Sequence, residues 1–279
     1  MRKILLALLF SASMIYLPCW IEQANDSFRL TKVSIDVPFN PSWTSEPPSS
    51  EIQTLFSGPF HYLGKGAQAF VFESEDGRFV LKLFRGSPKI HPWMHWVCKR
   101  VMGKRDRKTA LEKIPPLFDA CLLAYNQASD LTGLIYLHLN ATKSLLPSID
   151  LVNRVKKTIP IDLNKYRFVV QKKGKPIGEV FRDAIENQDK EKCIRLAKSV
   201  ISLLKERTSR NIGNLDKTLW YNFGFVGETA IEWDFGRYYS NPNFTDPLSR
   251  EREIRIFTNS LQTFLQQNAP DWSINLDKL

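Results

Sequence analysis

The chain has 279 residues, 43% of them hydrophobic and 24% charged, which is enough for two domains or for one body built in two parts. With 13 Gly and 16 Pro it is not collagen-like, low-complexity or wholly disordered. Lys and Arg number 39 against 29 Asp and Glu, a formal net charge of +10 that favours anionic partners, and the 4 Cys form no CxxC pair, which excludes a zinc ribbon or a disulfide framework.

At the N-terminus, Arg2 and Lys3 precede an uncharged run from Ile4 to Ile21, 18 residues long, at the lower limit for a membrane-spanning helix. No A-x-A pattern ends it, and Pro18 stands where a lipoprotein signal needs a small residue before Cys19. Residues 1–25 therefore read as a single-span signal-anchor that attaches the chain to a membrane, with a cleaved export signal as the alternative. Residues 26–58, with Pro38, Pro41, Pro47, Pro48 and many Ser and Thr, show little periodicity and read as a linker.

From Phe60 the chain carries Gly64-Lys-Gly66-Ala-Gln-Ala69-Phe-Val71, followed at once by an apolar strand. A dinucleotide fold needs a helix there, and a P-loop needs Gly-Lys-Ser/Thr, so both are excluded. Phe70–Ser74 and Arg78–Phe84 read as an antiparallel hairpin about Asp76-Gly77, with Lys82 on its second strand. Taken alone, the glycines could simply shape a turn and Lys82 could be a solvated strand residue.

Gly64, Gly66 and Val71 resemble the glycine loop G-x-G-x-x-G-x-V of the protein-kinase-like superfamily, with Ala69 in place of the third glycine. The resemblance implies that Gly64, Gly66, Ala69 and Val71 lie over ATP phosphates and that Lys82 pairs with them as a catalytic residue. It also implies a glutamate on the next helix to hold the lysine. The helix that follows Pro115-Pro116 contains none; Asp119, or Glu112 just upstream, is the substitute.

Between these elements lies an insertion in which His91, His95 and Cys98 have the i, i+4, i+7 spacing of metal ligands on one helical face, although a fourth ligand is missing. Residues 98–113 hold seven basic residues against two acids and read as a solvated or membrane-facing amphipathic segment, or as a surface for an anionic partner. Strand patterns follow at 134–139, 148–155, 158–163 and 166–171. Residues 168–179 are similar to the superfamily's hinge, although an ordinary strand-to-helix connection fits them as well.

Asp189 to Arg207 shows the wide apolar stripe of a central helix, and Cys193 on it and Cys121 on the preceding helix read as buried thiols. Phe223–Val226 and Thr229–Trp233 then form a hairpin about Gly227, which puts Asn222 at its entry and Asp234 at its exit, on one end. Two such oxygen ligands can share a magnesium ion.

Asp234-Phe235-Gly236 resembles the superfamily's metal-binding D-F-G, Asn222 its second metal ligand, and Asp216 its catalytic-loop aspartate. Asn214-Leu215 replaces the usual His-Arg, and Asn222 stands six positions after Asp216 where the motif has five. Only 43 residues follow Gly236, without an A-P-E element, and Asp246-Pro247 starts a helix with Leu248, Ile254, Phe257, Leu261, Phe264 and Leu265 on its apolar face.

The resemblance thus implies an α+β, two-lobed kinase-like fold, with an antiparallel-sheet N-lobe over 59–175 and a small, mainly helical C-lobe over 176–279. The function it implies is transfer of the γ-phosphoryl of ATP, with Mg, to a hydroxyl acceptor the residues do not name. The alternative is a pseudokinase that acts as a membrane-tethered binding module.

Overall fold

The computed structural model describes residues 23–86 and 112–279 and shows an α+β fold. The chain divides into two compact units, one of residues 1–111 with His138–Phe168, the other of Glu112–Leu137 with Val169–Leu279.

In the first unit, β1 (Phe60–Lys65), β2 (Ala69–Ser74) and β3 (Phe79–Phe84) form an antiparallel meander. Its second turn is the one expected: Gly77 takes φ +68°, and the Asp76 carboxylate accepts from the Ser74 hydroxyl and the Arg78 amide. Beyond β1 lie β5 (Ser148–Val152) and β6 (Thr158–Asp162), themselves a hairpin. One expectation is corrected by β1 and β5, which pair in parallel, Phe60 opposite Leu151. Strands so far apart in the chain are not bound to the antiparallel pairing that a tight hairpin imposes.

Residues 26–58 are not a bare linker. They form helices α1 (Leu30–Val33) and α2 (Ser50–Leu55) and bury Phe28, Val33, Ile35, Trp43, Ile52 and Phe56. The Asn40 backbone is held by the Asn140 side chain, whose Oδ1 accepts from the Asn40 amide and whose Nδ2 donates to the Asn40 carbonyl. These apolar residues are too widely spaced to show a period, yet each removes surface from water at about 25 cal/mol per Å².

The second unit contains α3 (Ile114–Thr132), β4 (Leu134–His138, whose last residue belongs to the first unit) and β7 (Phe168–Lys172, whose first residue does). A three-stranded sheet follows, in the order β11 (Thr229–Glu232), β10 (Phe223–Val226), β8 (Lys175–Pro176). Around it are α4 (Ile177–Glu186), α5 (Lys190–Ser209) and α7 (Pro247–Asn268). Asp189 caps α5 through the Lys192 amide, and Asp246 caps α7 through the Leu248 and Ser249 amides. On α7 the apolar face differs from expectation: Leu248 is exposed and Glu253 is buried. Cys121 and Cys193 are buried, as their helical patterns suggested, and burial pushes the Cys193 thiol up to about 11.

The membrane anchor is withdrawn as an expectation. Among the described residues no helix is long and apolar enough to cross a membrane, and the run it rested on lies within residues 1–22, outside the described part. His91, His95, Cys98 and the insertion as far as residue 111 also lie outside it.

Candidate functional site

In the first unit the glycine segment joins β1 to β2. The Gly66 amide donates to the Ala69 carbonyl at 2.8 Å, closing the turn, and the strand register slips between Tyr62 and Gly64. Arg85 steadies the loop, donating to the Gly66 carbonyl at 3.1 Å with its guanidinium 5.2 Å from the Phe70 ring centroid. A Cβ on Gly64 would meet nothing within 4 Å, and one on Gly66 only the Ala69 carbonyl at 4.0 Å. Neither glycine is among those with positive φ, and neither has a packing neighbour close enough to exclude a Cβ. Val71 lies opposite Lys82 in the β2–β3 register, and Lys82 is half-buried on an otherwise buried strand.

In the second unit, β9 (Ile212–Asn214) pairs with β12 (Tyr238–Ser240), and the one-turn helix α6 (Leu219–Asn222) leads into β10. The β10–β11 hairpin forms as the sequence suggested, with Phe223 opposite Glu232, Val226 opposite Thr229 and Gly227 at φ +63°. Asn222 and Asp234 thus meet at its open end, where the Asp234 amide donates to the Asn222 carbonyl at 3.4 Å. Beside them the Trp233 indole N–H donates to the Tyr221 carbonyl at 2.7 Å. Gly224 is required here because a Cβ would lie 2.1 Å from the Trp233 ring and 2.6 Å from the Lys175 carbonyl.

Asp216 is drawn to the same place. The buried Asn222 side chain donates from Nδ2 to the Asp216 carbonyl at 3.4 Å. Burial raises the Asp216 carboxyl, but the Thr218 hydroxyl and amide, the Asn222 amide and the charge of Arg237 outweigh it and hold the group below the usual aspartate value. Asp234 is exposed, with Oδ1 accepting from the Gly236 amide at 3.3 Å.

Beneath these residues lies a buried polar cluster that the sequence reading missed. Arg207 of α5 is fully buried; its Nη1 donates to both Glu232 oxygens at 2.8 and 2.6 Å and its Nη2 to Glu253 at 2.7 Å. Glu232 also accepts from the Tyr238 hydroxyl at 2.7 Å and from Asn214 Nδ2 at 2.8 Å, and Lys217 reaches Glu253 at 2.5 Å. Asn214 connects this cluster to both aspartates: Nδ2 also donates to the Asp234 carbonyl at 3.2 Å, and Oδ1 accepts from the Asp216 amide at 2.9 Å. A signal for the cluster was present, since Arg207 continues the buried 193–197–200–204 stripe of α5, and a charge on a core face needs a buried partner.

Among the described residues no group of three or more His, Cys, Asp or Glu could hold a metal ion. A site here would use the mixed Asn222 and Asp234 oxygens instead.

No protein-family model and no curated protein matches the chain. Solved structures similar to the chain include those of WbdD and of Rv3197. The 2.2 Å crystal structure of WbdD is 16% identical over 72% of this chain and 37% of that one, with a TM-score of 0.36. A medium-resolution structure of the bifunctional kinase-methyltransferase WbdD is 15% identical over 76% and 40%, with a TM-score of 0.35. The complex of Rv3197 with erythromycin from Mycobacterium tuberculosis is 16% identical over 77% and 56%, with a TM-score of 0.32. The chain therefore spans less than two thirds of the length of each of these proteins.

Proposed function

We propose that the chain is an ATP- and magnesium-dependent phosphotransferase with a two-lobed, kinase-like arrangement. The observation that carries this reading is the open end of the β10–β11 hairpin, where Asn222 and Asp234 are joined through their backbones and Asp216 is tied to Asn222. The donor set fits a magnesium ion, which takes a few carboxylate or amide oxygens and fills its remaining positions with phosphate and water. With Asn222 Nδ2 turned to Asp216, the amide oxygen and the exposed Asp234 carboxylate are the atoms offered to the cation.

The open glycine segment and Lys82 would receive the phosphates of the nucleotide. When bound, ATP supplies the phosphoryl group and magnesium the countercharge, while the protein contributes position and fixed charge. Asp216 is held ionised, as a group that orients an acceptor hydroxyl and takes its proton must be. The absence of a glutamate on α3 favours a second reading, a nucleotide-binding pseudokinase.

Thermal shift of the full chain with ATP and magnesium tests the site, and release of labelled phosphate to candidate hydroxyl acceptors tests transfer. Ligand at a hundredfold excess over Kd should stabilise by about 2.7 kcal/mol. A metal-dependent shift in the wild type that is lost in both Lys82→Ala and Asp234→Ala supports the site. A folded wild type that shows no shift refutes it, and binding without transfer supports the pseudokinase.

A further inference from the structure

The residue between the two glycines of the loop is held by the N-terminal arm. The Lys65 ammonium meets Asp26 Oδ1 at 2.5 Å and also donates to the Asp26 carbonyl at 3.2 Å. The other Asp26 carboxylate oxygen accepts from the Tyr62 hydroxyl at 2.6 Å. One aspartate therefore grips β1 on both sides of its register slip at Tyr62 and Gly64.

The arm is itself firmly seated. Phe28 packs edge-on against Phe70 and Phe72, both at 5.1 Å between ring centroids, and the Lys32 carbonyl accepts from the Gly86 amide at 2.8 Å just beyond β3. Asp26 and Ser27 are consecutive non-glycine residues at φ +50° and +62°, a conformation that persists only where its surroundings over-determine it. Asn25 closes this bend by donating from Nδ2 to the Phe28 carbonyl at 2.9 Å.

We propose that Asp26 is a positioning residue for the phosphate-binding loop, fixing the placement of Gly64 and Gly66 through Lys65 and Tyr62; the inference rests on the nucleotide reading of that loop. With the Lys65 charge neutralised by Asp26, phosphate recognition within the loop falls to backbone amides other than that of Gly66, which is bonded to Ala69, and their alignment depends on where β1 ends. Loss of the grip would leave a lysine able to meet phosphate from many loop positions and would misalign those amides.

The test uses the full chain and its Asp26→Asn, Asp26→Glu and Lys65→Met variants, titrated with ATP and magnesium and separately with adenosine. Asp26→Asn should weaken ATP binding about fivefold, as expected for losing a partly shielded ion pair, and leave adenosine binding unchanged. Asp26→Glu should restore ATP affinity, the Asp26→Asn/Lys65→Met double variant should be no weaker than either single one, and amide exchange over residues 63–68 should quicken in Asp26→Asn. Wild-type ATP affinity in Asp26→Asn, unchanged exchange over the loop, or equal losses for ATP and adenosine would overturn the role given to Asp26 while leaving the nucleotide site intact. A wild type that binds no ATP would overturn the nucleotide reading and the phosphate role with it.

Discussion

His138 should make the stability of the first unit depend on pH between 7 and 5. The ring is fully buried, with Nδ1 2.8 Å from the Tyr166 carbonyl, Nε2 3.1 Å from the Thr142 hydroxyl and Phe168 at 5.2 Å between ring centroids. Because a carbonyl can only accept, Nδ1 carries the proton of the neutral ring. Burial pushes the imidazolium down to about 4; the Tyr166 carbonyl opposes the shift and the nearby Arg167 charge adds to it. A folded value below the unfolded 6.5 means that the unfolded chain takes up the proton first. The stabilisation is therefore complete above pH 6.5 and is lost as pH falls through 6.5 towards 4. At about 1.4 kcal/mol per pH unit, some 2 kcal/mol is gone at pH 5. Urea unfolding followed by tryptophan fluorescence at pH 7.5, 6 and 5 measures this, with His138→Gln as the reference. The comparison is of slopes, so any overall destabilisation of the variant drops out. Equal slopes in the two proteins over this range would refute the reasoning.

Other outcomes follow from the second unit and the glycine loop. Arg207→Met strands two buried carboxylates and should cost about 3–5 kcal/mol in urea unfolding. Gly224→Ala forces a Cβ against the Trp233 ring and should cost about 1–3 kcal/mol by the same measurement. A Cβ at Gly64 would meet nothing within 4 Å, so the melting temperature of Gly64→Ala should match that of wild type while ATP binding by calorimetry weakens. Asp234→Asn alters an exposed side chain and should unfold within about 0.5 kcal/mol of wild type, yet show no magnesium-dependent thermal shift.

Local pattern made much of this legible. The run Phe223 to Glu232 turns about Gly227 and becomes the hairpin; Asp246 caps the helix its position suggested; and Gly66 falls on the turn between β1 and β2, with Gly64 still on β1 opposite Val71. What escaped depends on partners far away in the chain. Arg207, Glu232 and Glu253 come from three elements, and a stripe counted only by its apolar members passes over the charge embedded in it. Residues 26–58 looked like a linker because Phe28, Trp43 and Phe56 have no shared period; their order comes from the sheet they cover. The parallel β1–β5 pairing had no local signal either, since 82 residues separate Lys65 from Ser148.

The Glu232 carboxylate also sets a rule for insertions and deletions. Strand side chains alternate between faces, so sliding β11 by one residue would turn Glu232 away from Arg207, Tyr238 and Asn214 and move Asp234 with it. The pinned end cannot drift, and any change in length must be absorbed at the opposite tip, Val226 to Thr229, with Gly227 kept at its φ of +63° and Glu228 paired with Arg195 at 2.9 Å. That tip is therefore the place to graft a reporter peptide or a cross-linking residue without disturbing the aspartate at the other end of the hairpin.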